Sequence, residues 1–210
     1  MMNLKFKLLK MISIIYKAIR KGFSLIRNLA YTPYNKLLFY LNGISFGKSL
    51  KVRGVINVHV TRRGKVSLGE KVRINSGSHH NVIGRQQTTI FWVEGNLKIG
   101  NHVKIHNNVT LCVKGEAFIN DTCWIGQDSY IDATGELIIN RFSVIGIGST
   151  ICTHVRGGDI LSGCKYDSDG KCVIGEDVWL MTRTLVGPYS IGNKTISLML
   201  SANISISFKK

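Results

Sequence analysis

No aspartate or glutamate occurs before Glu70, although fourteen of the 28 lysines and arginines fall within residues 1–69. The formal charge is +16, and this layout makes the N-terminal third a basic surface of its own. Such a surface suits nucleic acid or an anionic membrane. No zinc-finger, RNP-like or helix-turn-helix pattern supports the first, so no nucleic-acid partner is expected. Long apolar runs are also missing. The longest uncharged stretch near the start, Met11 to Tyr16, is far short of the roughly 20 residues a spanning helix requires. No small-residue cleavage site follows a long uncharged run, so no secretory signal is expected.

The five cysteines (Cys112, Cys123, Cys152, Cys164, Cys172) are odd in number and lack the C-x-x-C spacing of a zinc site or redox pair. They read as reduced thiols filling small sites in a cytosolic protein. With 44% hydrophobic and 19% charged residues, the chain has the composition of a packed core rather than of disorder.

What is present is a repeat of six. Ile99-Gly100 leads to Ile105-His106 and Leu111-Cys112; Ile119-Asn120 to Ile125-Gly126 and Ile131-Asp132; Ile139-Asn140 to Ile145-Gly146 and Ile151-Cys152. The pattern begins near Leu68, is interrupted at Gly77-Ser-His79-His80-Asn81, and runs nearly unbroken from Leu97 to Ile151. This period fits neither the helix nor the alternating strand. It fits a β-solenoid of three flat faces, with each aliphatic side chain turned into a shared axis and stacked on its equivalent one coil away. Gly, Asn and Asp crowd the expected corners, where positive φ is needed. The solenoid is expected over 46–196, with 155–171 extruded as a loop because the repeat fails there and resumes at Cys172-Val-Ile174-Gly175. Loops on rigid scaffolds are where sites tend to be built.

Residues 1–45 form a separate arm. Polar residues at Lys10, Ser13, Lys17, Arg20, Ser24 and Arg27 mark one narrow stripe of a helix whose remaining surface is apolar. Pro33 is expected to break or turn it, and Leu37 to Leu41 to form a second short piece ending at Asn42-Gly43. The wide apolar face fits packing on the solenoid or a sister subunit, or lying in a membrane interface with its bases at anionic headgroups.

The stretches Val66-Ser-Leu-Gly-Glu-Lys-Val-Arg-Ile-Asn, Leu97-Lys-Ile-Gly-Asn-His-Val-Lys-Ile and Val173-Ile-Gly-Glu-Asp-Val-Trp-Leu resemble the hexapeptide-repeat acyltransferases, particularly the sugar O-acetyltransferases of bacterial surface-polysaccharide clusters. The resemblance covers roughly 44–196. It implies a mainly β, left-handed parallel β-helix with an N-terminal helical arm. It further implies acetyl-CoA as co-substrate with no metal, a homotrimer with coenzyme A in the groove between neighbouring prisms, and a sugar or lipid-linked glycan as acceptor. A cytoplasmic enzyme held peripherally at the inner face of the cell membrane through residues 1–30 fits that acceptor.

By position in the family, Ile151-Cys-Thr-His154 implies that His154 is the general base, Trp179 lies near the coenzyme arm, Arg183 and Lys194 are candidates for the coenzyme phosphates, and Asp132 is a candidate acceptor-binding carboxylate. A corner aspartate that bonds its own turn is the other account of Asp132. The chain departs from the family pattern at Leu180-Met181, where Ile-Gly is usual, and in 197–210, which lacks the usual closing coil and suggests truncation. A catalytically degenerate scaffold and an N-acetyltransferase on an amino sugar are the alternative functions. A γ-class carbonic anhydrase is a weaker rival, because His102 and His106 have His-x3-His spacing rather than His-x4-His.

Overall fold

The computed structural model describes residues 2–77, 88–157, 165–167, 170–188 and 190–197. One helix, α1 (Met2–Leu41), precedes a column of short strands arranged in three all-parallel sheets. The first face includes Asn96–Ile99, Glu116–Ile119 and Glu136–Ile139. The second includes Lys104–Ile105, Trp124–Ile125 and Val144–Ile145. The third includes Thr110–Val113, Tyr130–Ala133 and Thr150–Cys152. Along the coils the chain visits the three faces in turn before stacking on itself, which is the three-sided parallel β-helix expected from the hexads.

Inside, Ile105, Ile125, Ile145 and Leu180 form one column and Leu111, Ile131, Ile151 and Val186 another, all buried. Each such side chain contributes about 1.5–3 kcal/mol relative to exposure. The coil is two residues longer than three hexads. Leu97 aligns with Ala117 and Ala117 with Leu137, a step of 20 residues. The additional residues widen the corner between the third and first faces, where Glu94-Gly95, Lys114-Gly115 and Thr134-Gly135 lie above one another. The backbones approach closely there: a Cβ on Gly115 would stand 2.3 Å from the Gly135 carbonyl oxygen.

The corner between the first and second faces departs from expectation. Its left-handed seats are held by Lys71, His102, Thr122, Phe142, Asp177 and Lys194, with φ from 51° to 62°, rather than by Gly and Asn. Left-handed backbone costs roughly 1–2 kcal/mol per residue. Here each seat donates its N–H to the coil before it, as His102 does to Glu70 O (2.8 Å) and Thr122 to Asn101 O (2.8 Å). Stacking, not residue type, holds the conformation.

Helix α1 also corrects the reading of Pro33, which lies inside one uninterrupted helix. An interior proline forfeits one helical hydrogen bond and costs ~3 kcal/mol, but the turns around it are anchored from outside. The Thr32 hydroxyl donates to Val52 O (3.0 Å) and accepts from Val52 N–H (3.1 Å). Buried Asn35 donates to Gly54 O (2.8 Å) and accepts from Ile56 N–H (3.2 Å). Buried Phe39 stacks on Phe91 with centroids 6.4 Å apart. Thr32, Asn35 and Phe39 share one helix face, so the end of α1 closes the column and satisfies backbone groups at its sheet edge. The helix stops at Leu41, with Gly43 at φ 68° just beyond.

Candidate active site

The widened corner that lengthens each coil also builds the site. Thr134-Gly135 crosses it as a short turn, and in the next coil His154 stands at the Thr134 position and Gly170 at the Gly135 position. The hydrogen bonds fix this equivalence: Thr153 N–H donates to Asp132 O (3.1 Å), and Glu136 N–H donates to Gly170 O (3.0 Å) as Glu116 N–H does to Gly135 O (3.1 Å). Beyond His154, Val155–Gly157 pairs antiparallel with Lys165–Asp167 in a sheet separate from the column's three faces. His154 is therefore the last residue of an intact coil before the excursion.

Its Nδ1 lies 3.3 Å from Oδ1 of Asp132, one coil below, with the imidazole side chain 26% exposed and the carboxylate side chain 10%. The carboxylate is fixed in turn. Oδ1 accepts from Thr134 N–H (3.0 Å) and the Thr134 hydroxyl (2.7 Å), and Oδ2 accepts from the Tyr130 hydroxyl (3.2 Å). Asp132 thus both bonds its own turn and faces His154. A carboxylate this close to Nδ1 can help orient the imidazole.

Cys112 and Cys152 flank Asp132 in register on the third face. Burial first, and then the Asp132 charge, raises both thiol pKa values. Activated thiols shift the other way, so neither is primed to take an acyl group. Tyr130 is pushed up to about 12, again by burial and then by Asp132, and stays a hydrogen-bond donor. Tyr130, Thr134 and Cys152 were missed in the sequence; the signal was the recurrence of Gly95, Gly115 and Gly135 every 20 residues.

The remaining site residues do not gather at His154 within one chain. Trp179 points outward from the second face, 52% exposed and in register with Val144 and Ile196. Arg183 occupies a left-handed seat between the second and third faces, and Lys194 one between the first and second. Met181 packs its backbone over Gly146, whose added Cβ would come within 2.4 Å of it. His102 holds a corner seat, and the His106 ring lies 4.7 Å from that of Trp124. Among the described residues no three His, Cys, Asp or Glu side chains form a metal cluster, and His79, His80 and Cys164 lie outside those residues.

Over 100 residues the chain is 33% identical to the protein named "Putative colanic acid biosynthesis acetyltransferase WcaF" of Escherichia coli K12, and to its namesake in Shigella flexneri. The match covers 47% of this chain and 54% of each relative, so the chain spans about half the length of the curated relatives it matches. No protein-family model matches the chain.

Proposed function

We propose that this protein is an acetyl-CoA-dependent O-acetyltransferase acting on a sugar hydroxyl of a bacterial surface polysaccharide or its lipid-linked precursor. The observation that carries this reading is the His154–Asp132 pair, 3.3 Å apart where the coil opens. A sugar hydroxyl is a poor nucleophile until its proton is removed. Nε2 of His154 takes that proton as the oxygen attacks the thioester carbonyl. Asp132 holds the ring and balances the charge of the imidazolium. The tetrahedral oxyanion is met by a backbone N–H. As it collapses, the proton passes to the departing thiolate of coenzyme A. A positioned imidazole of this kind contributes roughly 10²–10⁴-fold.

Trp179, Arg183 and Lys194 are proposed to contact coenzyme A. Since they lie away from His154 in one chain, a complete site requires a second copy whose second face meets the first copy's open corner. A closed three-fold ring supplies that arrangement for every copy. The protein acts in the cytoplasm at the inner membrane face, with α1 lying in the interface. The side chains described in its N-terminal half, including Met11, Ile12, Ile15 and Ile19, are exposed rather than packed on the solenoid. Among the described residues, no helix is long and apolar enough to cross a membrane.

Thiol release from acetyl-CoA, measured with a panel of bacterial glycans and lipid-linked sugars, tests the activity. Acceptor-dependent release is expected. No turnover together with no coenzyme A binding would favour the non-catalytic scaffold. Removing residues 1–30 should release the protein from anionic vesicles, and unchanged partitioning would contradict the membrane role.

A further inference from the structure

The second face carries an unusual column near the foot of α1. Lys51 pairs in register with Arg73, and Arg73 with Lys104, so three exposed cations stand on successive rungs. Parallel rungs are ~4.8 Å apart, and like charges directly opposite one another oppose the sheet. Elsewhere the coils relieve such contacts: Lys171 meets Glu136 at 2.8 Å and Arg141 meets Glu176 at 2.9 Å. Among the described residues none of the three cations has an acidic partner. With Lys71 and His102 from the adjoining corner they line a groove of about 490 Å³. Ser49 and Thr122 complete its wall, and no acid lines it. Past Lys104 the same column turns apolar, through Trp124 and Val144, so the charge is confined to the coils nearest the helix.

The geometry points to a binding groove for a diphosphate group carried on a lipid-anchored ligand. Cations repeated at rung spacing match two linked phosphates better than one. Charged hydrogen bonds to phosphate are the strong kind, and Arg73 can engage two oxygens at once. Lipid delivery rests on the membrane reading above. The groove begins at Lys51, beside Val52, which exchanges two hydrogen bonds with Thr32 of α1. A headgroup beneath an interfacial helix would thus lie beside the first cation.

The test uses the full chain without acetyl-CoA turnover, so its outcome is independent of His154. Calorimetric titration with inorganic pyrophosphate should show binding. The triple variant Lys51→Gln, Arg73→Gln, Lys104→Gln should weaken it at least ~10-fold. The charge-matched triple Arg63→Gln, Lys65→Gln, Lys98→Gln, outside the groove, should retain it. Neutral vesicles doped with a polyprenyl diphosphate should recruit the wild type and the control triple more than the groove triple. Absence of pyrophosphate binding, or equal loss in both triples, overturns the site. Pyrophosphate binding without added recruitment by the doped vesicles overturns the lipid source. Equal recruitment by phosphatidylglycerol vesicles overturns the diphosphate in favour of general headgroup attraction. Coenzyme A binding lost only in the groove triple reassigns the groove to the donor and likewise overturns the proposal.

Discussion

The solenoid and the N-terminal half of α1 are both rich in isoleucine, yet they treat it in opposite ways. In the coils Ile99, Ile105, Ile119, Ile125 and Ile131 are buried and stacked at rung spacing. In the helix Ile12, Ile14, Ile15, Ile19 and Ile26 are each at least half exposed. The six-residue spacing sends every aliphatic to one axis, so the column completes its own core. The helical stripe leaves an apolar face wider than the column's open end can cover. Among the described side chains of the helix, those of Thr32, Asn35 and Phe39 find partners on the solenoid. One region buries its own isoleucines; the other leaves those described in it exposed.

The sharpest break of that contrast is Ile125→Ala. Truncation in a packed column should cost about 2–5 kcal/mol in denaturant unfolding; a negligible loss would mean that the column does not carry the stability. Next comes the joint between the regions. Asn35→Ala strips the Gly54 carbonyl and Ile56 amide of a buried partner and should cost roughly 1–3 kcal/mol. Hydrogen exchange should show that loosening concentrated in the first coil, and uniform loosening would argue against a local cap. The smallest effect belongs to the free helix. Ile14→Ser with Ile15→Ser should leave the unfolding free energy, measured without vesicles, within about 0.5 kcal/mol of wild type. A larger drop would show these residues packed in solution, contrary to their exposure.

Much of this contrast was legible in the residues. Hexads located the three faces because an inward side chain at every sixth position leaves few other solutions. The apolar width of the helix left packing on the solenoid, packing on a sister subunit and a membrane interface open. The corner geometry was harder to read. Phe142 and Thr122 are poor advertisements for left-handed backbone, and only the stacked carbonyls of the coil before explain them. Pro33 misled for a similar reason: its helix is secured by contacts to Val52, Gly54 and Ile56, distant in sequence. His154 is named by resemblance alone, whereas its approach to Asp132 depends on the 20-residue coil. With a strict six-residue count Cys152 would not stack on Asp132, and His154, two residues on, would not be brought beside that carboxylate. Trp179, Arg183 and Lys194 could be named from the chain, but their separation from His154 emerged only from the topology.

The most direct measurement is the initial rate of acceptor-dependent thiol release by His154→Ala, with its unfolding transition checked against wild type. An imidazole acting as the base predicts a fall of roughly 10²–10⁴-fold with the transition preserved. A correctly folded variant that turns over at the wild-type rate would contradict the account.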